Sequence, residues 1–478
     1  MMSDNSTVNK ILFLNLPHDT RVQRRYMCSY NTPSMLFPPI EMLYLAAIAR
    51  EWHQMQVSLL DAIAEDFSLE NVLNEIRILK PDMIVCITGF EIYEEDVKVI
   101  QILKAQFPEK NIVVFGHYPT NFPLETLEHT HADFVLEGEP DINFSNLLDY
   151  LSKKISLEEM KGVYYLDTNK HLCINEGIGR IKKPEELPLP AHDLLKIKFY
   201  NEPFLPKPFG LIQSARGCPY ACNFCVRSYG TRLALRSPES IIEEIKLLIE
   251  LHQIKSFRFI DDTFTATSKR VIRFCKLIIE NNIAIKWTCL SRADTLNEEM
   301  IEWMAKAGCV RVYIGIESGS PKILQLIKKE IDLDKGLENI RLLQKYDIQT
   351  TAFYMVGYPE ETDEDFQMSL DYARKGNFDF VIPGRFIPYP GTVFFDEFKD
   401  KIEFNLFPYK NEFKDKELIK TGVDREKYFY RNYYLRFGYV GKVWKNLTSH
   451  PLEIINNSLK AIQFQLPKKN TNVRNDYI

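Results

Sequence analysis

The sequence predicts an α/β protein built from two successive βα units. A doubly wound parallel sheet occupies residues 1–155, a second βα series of six strands occupies 209–400, and a small helical region fills 401–478. Three observations lead there. Short continuous apolar runs alternate with helix-length stretches, which is how strands buried on both faces of a parallel sheet read. The alternation stops over residues 156–208, where prolines crowd, and then resumes. The resumed series opens on three cysteines in one short stretch, Cys218-Pro-Tyr-Ala-Cys222-Asn-Phe-Cys225, directly after its first strand.

Composition bounds the function. A chain of 478 residues, 45% hydrophobic and 26% charged, is long enough for two to four domains with substantial cores. A net charge of −5 gives no overall basic field, so nucleic acid is not an expected partner. The start of the chain lacks the basic and apolar regions of a signal peptide, and no run approaches the length of a membrane span. Nine cysteines without a disulfide framework fit a reducing compartment, so a cytoplasmic location is expected.

In the first unit the strands are read at Ile11–Asn15, Val57–Asp61, Met83–Ile87, Ile112–Gly116 and Phe134–Leu136. Helices are read at Ile40–Trp52, Leu69–Leu79 and Glu91–Phe107. This is a Rossmann-like sheet of flavodoxin-like order, and such sheets bind ligands beyond the carboxyl ends of their strands. The loops after Asn15, Thr88 and Gly116 are therefore the candidate binding rim. The piece Arg21-Val-Gln-Arg-Arg-Tyr26 follows the first strand, and reads either as a holder of an anionic group or as a solvated loop.

Residues 156–208 carry a small β-like piece, Gly162–Leu166, then Lys182-Lys-Pro184, Leu187-Pro-Leu-Pro190 and further prolines at 203, 206 and 208. Proline at that density predicts an extended connector running across the interface of the two units. Beyond it the strands are Leu211–Ala215, Phe257–Asp261, Ile285–Leu290, Val310–Ile316, Thr351–Val356 and Phe380–Ile387. Helices are expected at Pro238–His252, Ser268–Asn281, Asn297–Ala307, Pro321–Ile327, Leu333–Tyr346 and Asp363–Lys375. Aliphatic stripes such as Ile241, Ile245, Leu248 and Ile249 are core.

The cysteine stretch carries the chemistry. Thiolates are the ligands iron–sulfur clusters select, and three of them on a four-iron cluster leave one iron open. A zinc site usually wants four ligands in paired form, and no second pair is present. The lead-in Ser214-Ala-Arg-Gly217 lets backbone approach closely at Gly217. Cys218, Cys222 and Cys225 match the signature of radical S-adenosylmethionine (AdoMet) enzymes, and the chain resembles members of that family with a cobalamin-binding domain ahead of the catalytic one. The second part of that resemblance rests on Phe37-Pro-Pro39, Leu43-Tyr-Leu-Ala-Ala47, Val113–Thr120 and Ala132–Glu139.

The resemblance implies a partial (β/α)6 radical SAM barrel, a 4Fe-4S cluster on Cys218, Cys222 and Cys225, AdoMet on its open iron, and cobalamin. The D-x-H-x-x-G motif for a lower axial histidine is absent, so cobalamin without a histidine lower ligand is implied. AdoMet contacts are implied at the strand ends: Asp261 and Asp262 for the amino group, Arg292 for the carboxylate, Ser291, Glu317 and Ser318, with Gly357 beside adenine. Cobalamin contacts are implied at Asn15, Thr88, Gly116, Tyr118, Glu137 and Gly138. The remaining cysteines, Cys28, Cys86, Cys173, Cys275, Cys289 and Cys309, make no second cluster.

After residue 400, Asp424–Phe437 and Val443–Leu447 interleave basic and aromatic residues at helical spacing. That pattern reads as a helix packed on the barrel or as a membrane-surface helix beside a lipid substrate. The tail after Gln465 is polar. The family resemblance implies methylation of an unactivated carbon of a small-molecule or lipid substrate, fed by a reductant such as flavodoxin or ferredoxin. The alternative is rearrangement, ring contraction or oxidative cyclisation without methyl transfer. A cluster-based sensor would need a DNA-binding or signalling module, and none is read in the chain.

Overall fold

The computed structural model describes residues 8–25, 29–31, 34–167, 169–174, 180–227, 229–436 and 439. The first sheet contains β1 (Lys10–Asn15), β2 (Gln56–Asp61), β3 (Met83–Ile87), β4 (Asn111–Phe115), β5 (Phe134–Leu136), β6 (Val163–Leu166) and β7 (Leu172–Ile174), in the spatial order β2-β1-β3-β4-β5-β6-β7. The first five strands are parallel and keep the flavodoxin-like order. Burial explains the unbroken apolar runs. On β1, Leu12 and Leu14 pack with Val72, Ile76, Ile100 and Leu103 on one face. Ile11 and Phe13 pack with Ile40, Leu43, Ala47 and Phe144 on the other.

The connector expectation changes here. Within 156–208, β6 and β7 extend the sheet antiparallel, with Glu137 N–H donating to the Gly162 carbonyl to carry the ladder onward. These strands are short and only half-buried, so their apolar signal is weak. Residues 180–208 do behave as connector. Leu36 and Asn201 bridge, the Tyr200 hydroxyl donates to Asp61, and Glu202 is buried at the barrel floor. There Glu202 accepts from the Tyr313 hydroxyl at 2.6 Å and Thr288 at 3.2 Å, with the Arg258 and Arg311 guanidiniums 3.6 and 3.7 Å away. A buried carboxylate needs such partners.

The second sheet is parallel and runs in sequential order: β8 (Phe209–Ile212), β9 (Ser256–Phe259), β10 (Lys286–Arg292), β11 (Cys309–Glu317), β12 (Gln349–Val356) and β13 (Phe380–Arg385). Among the described residues β8 and β13 are its edges, as a partial barrel requires. β8 ends earlier than expected, because the Asp261 carboxylate takes the N–H groups of Ser214 and Ala215 and turns the chain out of the sheet. Helices cover the outer face, and Trp287, Phe259, Phe274, Ile314 and Ile340 lie in the core between.

A final helix, α1 (Lys416–Tyr434), lies on this barrel. Phe429 and Tyr433 are buried, the Tyr433 hydroxyl donates to the Phe378 carbonyl, and Arg425 pairs with Glu361 and Asp363. The interleaved pattern is therefore a helix packed on the barrel through Phe429 and Tyr433, with Tyr428 and Tyr430 on its exposed side. No described helix is long and apolar enough to cross a membrane. Cys28, the Val443–Leu447 piece and the tail after Gln465 lie outside the described residues.

The two units meet through buried polar contacts. Arg216, just before the cysteines, is held by Glu139 and Asp141 of the first unit and sits between the Tyr44 and Tyr229 rings, 5.0 and 5.2 Å away. On the far side His117 Nε2 donates to the Pro390 carbonyl at 2.7 Å and Phe90 packs on Tyr389.

Candidate active site

The cysteine loop is fixed before any ligand enters. Gly217 has φ +79°, and a Cβ there would fall 2.3 Å from the Arg232 carbonyl oxygen, so the lead-in requires glycine. Cys218 N–H donates to Gly230, Cys225 N–H to Cys222, and the Asn223 N–H and side chain reach the carbonyls of Ile327 and Leu326. Cys218, Cys222 and Cys225 are all free thiols. Burial pushes the Cys222 thiol up while Lys329 and Arg292 oppose it, and burial also pushes Cys225 up.

No described group of three His, Cys, Asp or Glu side chains converges as ligands of a single ion would. A four-iron cluster asks something different, since each thiolate takes its own iron. Three free thiols on one glycine-hinged loop at the barrel mouth fit that group.

Beside the loop stands a charge pair that the sequence reading half missed. Glu317 ends β11 with φ +65°, a conformation that costs a non-glycine residue about 1–3 kcal/mol and collects at functional sites. Its carboxylate accepts from Lys329 Nζ at 2.9 Å, and both side chains are about nine-tenths buried. A Cβ on Gly315 would lie 2.6 Å from the Glu317 oxygen and 2.7 Å from Lys329 Nζ, so that glycine makes room for the pair. Glu317 was read from its strand end. Lys329 follows a helix in an aperiodic loop and carried no signal.

Arg292 ends β10 on the mouth, as expected, with Nε and Nη2 already partnered within the protein. Nε and Nη2 bind the Asp294 carboxylate at 3.1 and 3.0 Å, Nη2 also reaches the Lys329 and Glu330 carbonyls, and the guanidinium stacks on the Tyr220 ring at 3.8 Å. It braces the cysteine loop against the loop carrying Lys329.

Several other expected contacts prove internal. Asp261 is buried and spent on Ser214 and Ala215. Ser291 bonds Thr265, and Ser318 bonds Ser369 beneath the mouth. Gly357 has φ +81°, and a Cβ there would meet Gly422 of α1 at 2.7 Å, so the glycine accommodates a helix. Asp262 does remain at the mouth, where burial pushes its carboxyl up to about 6 against the pull of Arg25.

On the rim of the first unit, Asn15 and Thr88 are buried in a network of their own. Arg24 binds Asp96, Asn15 and the Leu16 carbonyl, while Thr88 donates to Asp96. The Arg21–Arg25 stretch thus sends Arg24 inward, neither solvated nor open to an anion. Gly116 packs on the Thr88 carbonyl, and Tyr118 is buried among Phe90, Tyr93 and Phe122. Glu137 continues the sheet through its backbone. Open space lies at the ends of β4 and β5. A cavity of about 370 Å³ there is lined by Thr120, Asn121, Gly138, Glu139, Arg180 and Arg227, a mixture of donors and acceptors that fits an amide-rich periphery such as that of cobalamin.

Comparison with known proteins follows this geometry. The radical SAM superfamily matches residues 212–373, from the end of β8 into the helix that follows β12. An uncharacterized methyltransferase of Pyrococcus horikoshii is 32% identical over 390 residues, which cover 80% of this chain and 82% of the relative. The chain belongs to the radical SAM superfamily. A second relative by sequence, the anaerobic magnesium-protoporphyrin IX monomethyl ester cyclase of Rubrivivax gelatinosus, is 25% identical, covering 84% of this chain and 74% of that one. Among solved structures, the cobalamin-dependent AdoMet radical enzyme OxsB, with aqua-cobalamin and AdoMet bound, superposes with a TM-score of 0.67 at 20% identity. That match covers 87% of this radical SAM chain but only 57% of OxsB, and it shows a shared fold.

Proposed function

We propose that this chain is a cobalamin-dependent radical SAM methyltransferase that acts on an unactivated carbon of a small-molecule or lipid substrate. The observation that carries the reading is the mouth itself: three free cysteines on a rigid loop, an acid–base pair beside them, and a second unit of OxsB-like arrangement fastened over the opening. When bound, the cofactors supply reductive cleavage of AdoMet to a 5′-deoxyadenosyl radical and methyl transfer through cobalt.

The chain's residues position and shield. Cys218, Cys222 and Cys225 hold the cluster. AdoMet is a zwitterion at its methionine end, so Lys329 and Glu317 exchange partners with its carboxylate and its amine or ribose, and neither buried charge is left alone. Asp262 offers a second acceptor to the amine. Tyr220 on Arg292 closes the loop over the site and excludes water, which protects a radical from quenching. The cavity at Gly138 and Thr120 takes part of the cobalamin periphery. A one-electron donor of flavodoxin or ferredoxin type is the required partner.

The test is a Cys218/Cys222/Cys225→Ala triple variant. Iron, sulfide and AdoMet cleavage should vanish while the fold and bound corrinoid persist. Undiminished iron would overturn the cluster assignment. With the parent enzyme, AdoMet and reductant, the product mass should rise by one methyl group, and an unchanged carbon count would point to radical chemistry without transfer.

A further inference from the structure

The barrel mouth has two chemically different halves. On the inner face of β10 and β11 stand Arg292, Glu317 and, from the following loop, Lys329. Across the mouth, β12 and β13 pair Phe353 with Ile382 and Met355 with Gly384. Val381, Val356, Tyr354 and Ala352 belong to the outer core beneath the helices, so strand alternation turns Phe353, Met355, Ile382 and Gly384 inward. Phe353 confirms the direction by stacking on Tyr313, which reaches the barrel floor through Glu202.

These inward positions are only partly packed: Phe353 stacks on Tyr313 and Met355 touches the core, while space remains beside Ile382 and Gly384. Barrel interiors are ordinarily filled by branched side chains. Here Ile382 is 41% exposed, and Phe353 and Met355 are only half-buried. Gly384 is the informative residue. It does not adopt a positive φ, and a Cβ built on it meets nothing within 4 Å. Neither backbone conformation nor a crowded neighbour calls for glycine, which weakens a strand by about 0.5–1 kcal/mol relative to alanine. A strand glycine marks a bulge, a bend or a close approach, and here the β12–β13 register runs unbroken and no other backbone comes near, which leaves the approach of a ligand.

We infer that the β12–β13 half of the mouth seats the apolar, uncharged moiety of the substrate, the part that carries the reacting carbon. The inference rests on the proposed function and names its substrate class. No charged or amide side chain stands among the four inward positions, so a charged group there would lose its hydration without a partner. An alkyl or aromatic surface instead leaves water for Phe353, Met355 and Ile382, and the missing side chain at Gly384 gives it depth. The polar half remains for AdoMet.

The test uses the reconstituted, corrinoid-loaded enzyme and the uncharged fluorophore N-phenyl-1-naphthylamine. Two variants are compared with the parent, Gly384→Leu, which fills the space, and Ile382→Asp, which puts a carboxylate into it. In both, fluorophore affinity should fall by about ten-fold or more. AdoMet affinity and corrinoid content should stay within about two-fold of the parent. Unchanged fluorophore affinity overturns the inference. So does a matching loss of AdoMet or corrinoid, because the apolar half would then belong to adenine or to the corrin. If Gly384→Leu does not fold, Ile382→Asp decides alone, since that side chain is already exposed. The readout needs no turnover, so it stands or falls apart from the cysteine experiment.

Discussion

Arg292 and Lys329 differ in how far their donors are already spent within the protein. A guanidinium has five N–H donors. Arg292 spends its Nε and Nη2 groups on Asp294 and two carbonyls, and its face on Tyr220. Lys329 has a single carboxylate partner and acts on the cysteine thiols electrostatically. A charge-assisted hydrogen bond contributes about 1.5–3 kcal/mol, or roughly ten- to hundred-fold in affinity. Lys329→Gln should therefore weaken AdoMet binding by about that factor while iron content holds. Arg292→Gln should lower iron content and melting temperature first, leaving AdoMet affinity per cluster within about three-fold of the parent. A large affinity loss in Arg292→Gln at full iron content would return the carboxylate to Arg292. The strand-end position of Arg292 was legible in the sequence. Its partners were not, because Lys329 and Glu330 arrive from a loop 37 and 38 residues away.

Among the elements, both βα series could be read because parallel strands buried on two faces leave long apolar runs, as Met83–Ile87 and Ile112–Phe115 do. β6 was legible only as a small β-like piece and β7 not at all, since strands of four and three residues beside a proline-rich stretch look like connector. Gly357 was read for adenine, and the structure shows a packing demand at the same residue: it makes room for α1, a helix that begins almost sixty residues later. Alanine at position 357 must adopt φ +81° and meet Gly422 at 2.7 Å. The left-handed conformation alone costs about 1–2 kcal/mol. Gly357→Ala should thus loosen α1, lower the melting temperature and speed proteolysis within Lys416–Tyr434, with AdoMet affinity nearly unchanged. Lost AdoMet affinity at full stability would restore the adenine contact.

The whole molecule depends on how the first unit is held over the mouth, and the buried polar part of that hold responds to protons. Glu139 and Asp141 clamp Arg216 on one side, and His117 grips Pro390 on the other. Burial lowers the His117 pKa from 6.5 to about 4, so the folded protein prefers the neutral ring. The resulting stability is complete above pH 6.5 and is lost as pH falls toward 4. A shift of about 2.5 units at 1.36 kcal/mol each amounts to roughly 3 kcal/mol by pH 4. Glu139 works in the opposite sense, because burial raises its pKa and its contribution is lost as pH rises. Comparing the parent with His117→Gln isolates the histidine from that background. The amide keeps a donor for Pro390 but cannot take up a proton, so its unfolding midpoint should lie lower at pH 7 and fall less between about pH 6.5 and 4. Denaturant midpoints across that range, read alongside cleavage of the junction between the two units, measure the difference. Parallel curves for parent and variant would mean that the ring titrates freely and that its hold on Pro390 does not set the pH dependence.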